Sequence, residues 1–179
     1  MNYFNGFLMK GEETLFENLL VKGECIAAGF SMGAIKALEF AIEQKRRVDR
    51  LILLSPAFFH STDKEFADRQ ISAWNRSADT YSSVFLKNCA YPSNLDLRPM
   101  LSDGSSDELR YLLEYRWDPE KISRLISRGV VVEVFLGSQD RIIDARQALE
   151  FFENAGAICY LFKEAGHILQ PIFKKRRNE

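Results

Sequence analysis

The chain has 179 residues, 46% of them hydrophobic, which suits one domain with a substantial core. A formal net charge of −1 gives no electrostatic attraction for nucleic acid or an anionic membrane surface, and no apolar run approaches a bilayer span. The N-terminus lacks the basic region and long apolar core of a secretory signal, so a cytoplasmic protein is expected.

The chain opens with a strand-like run, Asn2-Tyr3-Phe4, that breaks at Asn5-Gly6. Residues 12–21 start acidic and carry Leu15, Phe16, Leu19 and Leu20, the spacing of an amphipathic helix. Residues 25–30 are short and apolar, as in a buried parallel strand, and they run into Gly29-Phe30-Ser31-Met32-Gly33, a G-x-S-x-G pattern. Beyond it, residues 32–43 place Ile35, Leu38, Phe40 and Ala41 among Lys36, Glu39 and Glu43 at helical spacing. A strand that turns abruptly into a helix lifts Ser31 to the apex of a strained turn, with glycines on both sides so that neighbouring backbone can come close. The helix also directs free N–H groups and a partial positive charge toward whatever Ser31 attacks.

Lys45-Arg46-Arg47 marks a solvated helix end suited to the C-terminal dipole. Residues 51–54 form another buried strand that stops at Ser55-Pro56. The following Ala57-Phe58-Phe59-His60 then lies at the carboxyl edge of the sheet, where ligands bind in open α/β folds. Phe58 and Phe59 either line a substrate pocket or pack as aromatic core; His60 reads as a structural or pocket-rim residue. Residues 60–129 are helical with interruptions: a stretch over 65–88, a break from Tyr91 to Pro99, a stretch over 109–117 capped by Ser106-Asp107-Glu108, and a third over 120–127 opened by Pro119. Residues 130–136 are a clear strand ending in Gly137-Ser138-Gln139-Asp140. Asp144 is placed to cap a helix over 144–152, and residues 157–162 form the last strand, which Lys163-Glu164-Ala165-Gly166 connects to His167. A short terminal helix is expected over 168–173, with Lys174-Lys175-Arg176-Arg177 as its end or a frayed tail.

A serine nucleophile needs a histidine base and a carboxylate to orient it. Of the two histidines, His60 and His167, only His167 sits in a late Gly-His turn after a strand. Ser31, Asp140 and His167 therefore make an ordered candidate triad. Cys25, Cys89 and Cys159 are widely spaced, with no C-x-x-C or Cys/His cluster, so neither a disulfide nor a metal site is predicted; Cys25 and Cys159 read as buried thiols in strands.

With these motifs placed, the chain resembles the α/β-hydrolases over essentially its whole length. More narrowly, it is similar to the short bacterial pimeloyl-[acyl-carrier protein] methyl ester esterases of biotin synthesis. That likeness rests on Tyr3-Phe4-Asn5-Gly6-Phe7, on Ala28-Gly29-Phe30-Ser31-Met32-Gly33-Ala34-Ile35-Lys36-Ala37, on Leu54-Ser55-Pro56-Ala57-Phe58-Phe59, and on the small size. The resemblance implies a reduced α/β-hydrolase fold: a mostly parallel sheet of about five or six strands with flanking helices. Residues 1–59 and 130–179 would form the core and residues 60–129 a helical cap. It also implies that Asn5-Gly6-Phe7 is the loop that reads His-Gly-aromatic elsewhere, so that the Phe7 and Met32 N–H groups form an oxyanion hole. An ordinary Asn-Gly turn is the other reading of that loop. The implied reaction is hydrolysis of the distal methyl ester of a carrier-bound pimeloyl chain, with no metal or organic cofactor. The implied partner is the acidic acyl-carrier protein, docked on cap arginines and lysines. Two other functions fit the same residues: a carboxylesterase or thioesterase for small free acyl esters, and a non-catalytic binding module on the same fold.

Overall fold

The computed structural model describes residues 1–43 and 47–170. Five strands pair in chain order: β1 (Asn2–Phe4), β2 (Ile26–Phe30), β3 (Arg50–Leu54), β4 (Val131–Gly137) and β5 (Ile158–Phe162). All four pairings are parallel, with Phe4 beside Gly29, Phe30 beside Leu54, Leu54 beside Phe135 and Gly137 beside Phe162. In such a sheet every strand ends on the same edge. The residues that follow the strands, among them Asn5, Ser31, Ser55 and Ser138, are thus gathered there from distant parts of the sequence.

The continuous apolar runs of the central strands are buried on both faces, as parallel strands require. Leu51, Leu53, Val132, Val134 and Leu136 pack against α1 (Met32–Glu43), α5 (Pro119–Ser127) and α6 (Ala145–Asn154). Ala28, Phe30, Ile52, Leu54 and Phe135 face the other way, onto Phe16, Cys89 and Ile168. At the β5 edge of that second face Ile158, Tyr160 and Phe162 are exposed. Cys89 is the buried thiol, whereas Cys25 and Cys159 are only half-buried, contrary to the expectation from their strand-like surroundings.

Between β3 and β4 the chain forms α2 (Lys64–Arg76), α3 (Ala78–Ala90) and α4 (Ser106–Glu114) before α5. The stretch expected over 65–88 is two helices because Ser77 adopts an extended backbone and its hydroxyl accepts the Thr80 N–H at 3.2 Å, capping α3. Ser105, not Ser106, caps α4 by accepting the Glu108 N–H at 3.1 Å. That helix ends before Trp117, which turns into the core and donates its indole N–H to the Ala57 carbonyl at 2.7 Å. Asp144 caps α6 as expected, accepting from the Arg146 and Gln147 N–H groups at 3.1 Å each.

The helix expected over 12–21 is not formed. Only Glu12–Phe16 coil, as a 3₁₀ turn, and Leu19 and Leu20 then fold back onto the Phe16 carbonyl. The acidic start is drawn inward rather than left in water: Glu12 is buried and bonded to the Gly6 N–H, which ties the segment down at its first residue. Residues 168–170 carry a turn and no helix; residues 171–173, Lys174-Lys175-Arg176-Arg177, Lys45 and Arg46 lie outside the described residues. Arg47 is paired with Asp49 at 2.5 Å. No helix among the described residues is long and apolar enough to cross a membrane.

Helix α1 lies so close to β1 that a Cβ on Gly33 would stand 1.9 Å from the Phe4 carbonyl oxygen. Gly33→Ala is therefore expected to cost about 3–5 kcal/mol, since only backbone movement relieves the overlap. Urea denaturation of the variant within 1 kcal/mol of the parent would contradict this approach.

His60 joins the end of β3 to the α4–α5 connection. Its Nε2 accepts the Trp117 N–H at 2.7 Å, and its ring stacks on Phe58 at 4.3 Å. Burial, and then the nearby Arg116 charge, lower its pKa from the ordinary 6.5. The neutral ring is the form that accepts from Trp117, so the contribution to stability is full above 6.5 and is lost as pH falls through the lowered folded value. Unfolding measured across that window should show a pH-dependent loss in the parent that His60→Gln lacks; parallel profiles for the two proteins would rule the contact out as its source.

Candidate active site

Ser31 sits between β2 and α1 with a positive φ of 52°, a conformation costly for a side-chain-bearing residue. Its backbone is held on three sides: its N–H donates to Leu54 at 2.9 Å, and its carbonyl accepts from Ala34 and Ala57 at 3.1 Å each. The strained turn is thus over-determined by β3 and the first turn of α1. Gly29 and Gly33 meet across it, a Cβ on Gly29 falling 2.1 Å from the Gly33 carbonyl oxygen. Both elbow glycines are required by this contact and by that of Gly33 with Phe4.

Asp140 and His167 reach the same sheet edge from the loops after β4 and β5, and those loops are laced together. Ser138 N–H donates to Phe162 at 2.9 Å, Gln139 N–H to Ala165 at 2.9 Å, and the Ser138 hydroxyl to the Lys163 carbonyl at 2.7 Å. His167 Nδ1 lies 2.7 Å from Asp140 Oδ2, and both side chains are completely buried. Because a carboxylate oxygen only accepts, it is Nδ1 that carries a proton in this bond. The other carboxylate oxygen, Oδ1, accepts the Ile142 and Ile143 N–H groups at 2.7 and 3.1 Å. The imidazole packs on Phe30, the residue before Ser31, with ring centroids 4.9 Å apart. His167 Nε2 is buried and has no hydrogen-bond partner among the described residues. The Ser31 hydroxyl therefore makes no hydrogen bond to it: the structure joins Asp140 to His167 but does not join His167 to Ser31.

The loop after β1 is pressed against the elbow. A Cβ on Gly33 would lie 2.6 Å from the Asn5 carbonyl oxygen, and one on Gly6 would strike the Phe30 ring at 2.7 Å. Neither the Phe7 nor the Met32 N–H makes a hydrogen bond among the described residues. The Met32 N–H opens α1, so the helix dipole adds to its pull on negative charge. The Phe7 ring is buried between Trp74 and Phe85, at centroid distances of 5.6 and 5.7 Å.

Phe58 and Phe59 part company. Phe58 stacks on His60 and packs against Phe151 and Phe152 of α6, as core. Phe59 lines a cavity of about 210 Å³ walled by Phe66, Tyr81, Phe85 and Leu113, with Arg141 and Ile142 beside Asp140 closing it. Periodicity cannot separate adjacent aromatics at a strand exit, so the sequence presents the two alike. Glu12 was missed altogether: its carboxylate accepts the Gly6 N–H at 2.7 Å, but an acid after Gly11 reads in sequence as a solvated first turn.

Replacing Phe7 by Ala removes a buried ring flanked by two others. A loss of about 3–5 kcal/mol is expected in chemical denaturation, and a loss below 1 kcal/mol would place the ring outside the packed core.

No family model matches the chain, and no curated protein matches it. Solved structures do. An esterase from Exiguobacterium antarcticum aligns with a TM-score of 0.62 and 20% identity over 78% of this chain. MenH from S. aureus aligns with a TM-score of 0.59 and 15% identity over 94% of this chain and 87% of its own. A hydrolase from Oleispira antarctica aligns with a TM-score of 0.63 and 13% identity over 88% of this chain and 63% of its own. The chain spans 58% of the length of the Exiguobacterium esterase. The fold is a reduced α/β-hydrolase fold, with a five-stranded parallel sheet and flanking helices.

Proposed function

We propose that this protein is a serine esterase that hydrolyses the methyl ester of pimeloyl-[acyl-carrier protein] to the free acid and methanol, in biotin synthesis. The hydrolytic reading is carried by the buried Asp140–His167 pair, 2.7 Å apart, at the same sheet edge as the Ser31 elbow. The esterase and the hydrolase among the similar structures support it. The narrower substrate rests on the resemblance of the strings around Phe4, Ser31 and Pro56 to esterases of that kind.

In this reading Ser31 Oγ attacks the ester carbonyl while its proton passes to His167 Nε2. Asp140 holds the ring and stabilises its charged form. The oxyanion is received by the Phe7 and Met32 N–H groups, each worth on the order of 100- to 1000-fold in rate. Methanol leaves with the proton from Nε2, and water, deprotonated by the same nitrogen, releases the acid from Ser31. The sequence of steps closes without a metal or an organic cofactor. Of the expected cap over 60–129, helices α2 to α4 take that role, since α5 packs on the sheet beside α1 and α6, and the cavity beside Phe59 receives the acyl chain. The acidic carrier docks on cap cations, among which Arg69, Arg98 and Arg110 are already engaged by neighbouring carboxylates.

A carboxylesterase or thioesterase for small free acyl esters is the second reading. The cavity's modest 210 Å³ favours it, since pockets for larger ligands commonly span roughly 300–1,000 Å³. Turnover of the carrier-linked methyl ester beside p-nitrophenyl esters, by the parent and by Ser31→Ala, decides between them. Ser31-dependent cleavage that the carrier improves is expected; equal or better turnover of free esters would favour the second reading, and Ser31-independent cleavage would remove both. Asp140→Asn, which keeps the shape but not the tautomer, is expected to lower kcat about 10⁴-fold.

A further inference from the structure

We infer that Glu12 is a positioning residue for the oxyanion hole: its buried carboxyl fixes the Gly6 peptide and so aims the Phe7 N–H. This rests on the serine hydrolase reading above.

The geometry is specific. Glu12 is completely buried, and Oε1 accepts the Gly6 N–H at 2.7 Å. The Tyr3 hydroxyl approaches the same oxygen at 3.4 Å from β1. Gly6 is also held from its other end, its carbonyl accepting the Met9 N–H at 3.2 Å. In a trans peptide the carbonyl and the next N–H point in opposite directions. Tying the Gly6 carbonyl to Met9 therefore turns the Phe7 N–H to the far side of the loop, and Glu12 stops the preceding peptide from rotating. The next residue but one, Leu8, has a positive φ of 60°, so the loop is not one that the chain adopts unaided.

A buried carboxyl is a costly anchor unless something requires it. Here Oε2 has no partner among the described residues, so the group is not a fully satisfied core carboxylate. Burial raises its pKa above the usual carboxylate range. A carboxyl oxygen accepts from Gly6 in either protonation state, as an amide oxygen does. A role in acceptance alone thus predicts that an amide serves equally well.

The test uses Glu12→Gln, which keeps the acceptor, and Glu12→Leu, which fills the space without one. Four readouts are needed: thermal unfolding, kcat and KM on a p-nitrophenyl ester, inhibition by a trifluoromethyl ketone, and hydrogen exchange of the Gly6 amide. In the ketone complex the Ser31 oxygen bonds to the carbonyl carbon, its proton moves to His167, and the former carbonyl oxygen becomes an oxyanion in the hole. Glu12→Leu is expected to lower kcat about 10- to 100-fold with KM within about 3-fold, and to weaken ketone inhibition by a similar factor. Exchange at Gly6 should accelerate, while Glu12→Gln stays within about 3-fold of the parent throughout.

A folded Glu12→Leu with unchanged kcat, or a lower kcat without weaker ketone binding, would overturn the inference. So would a Glu12→Gln as impaired as Glu12→Leu. Should Glu12→Leu fail to fold, Glu12→Asp, one methylene too short to reach Gly6, takes its place with the same expected losses. Parent protein that cleaves no ester and gives no Ser31-dependent reaction with the ketone would instead overturn the hydrolase reading itself.

Discussion

The structure depends on one tight contact: the first turn of α1 lies directly on the ends of β1 and β2, with Gly33 against the Phe4 carbonyl and Gly29 against Gly33. A single Cβ at either glycine would separate these elements. Because they touch, Ser31 must take up a left-handed backbone, and the loop after β1 must run beside the N-terminus of α1. The direction of the serine and the place of the Phe7 and Met32 N–H groups are both consequences of that approach. Burial of Ile35 and Leu38 of α1 against Leu51 and Leu53 of β3 supplies the favourable energy that holds the strained turn shut.

The second half of the site is assembled on a different principle. Asp140 and His167 do not lie on a rigid turn; they lie on two loops bonded to one another through Ser138, Gln139, Phe162, Lys163 and Ala165. Beside the turn bonds within each loop, the loop after β4 donates and the loop after β5 accepts, so each satisfies groups of the other. Asp140 and His167 are therefore fixed relative to each other, with no hydrogen bond from Nε2 to the serine. Packing of the imidazole on Phe30 then couples that pair to the strand that carries Ser31.

Much of this was legible in the sequence because the physics is local. Residues 25–30, 51–54 and 130–136 are apolar runs bounded by turn residues, and β2, β3 and β4 formed within a residue of those limits. Helix α1 declared itself by its period, and the order of Ser31, Asp140 and His167 by the strands before them. What stayed hidden depends on tertiary partners. Glu12 looks like a solvated helix start unless one knows that the Gly6 N–H lies within reach. Ser77 reads as one more residue of a long helix until its hydroxyl is seen on the Thr80 N–H. Phe58 and Phe59 share composition and neighbourhood, and only the position of α6 sends one into the core and the other to the cavity.

The wedging of the Phe7 ring between Trp74 and Phe85 links two parts that are otherwise separate in the chain. One residue offers its main chain to the sheet edge and its side chain to helices α2 and α3. Those helices cannot drift in sequence or be exchanged as a cassette without regard to the rest. Loss of aromatic surface at Trp74 or Phe85 would leave the Phe7 ring without one of its two flanking rings. A change at any one of the three rings is in this way transmitted to the loop after β1 as well as to the two helices.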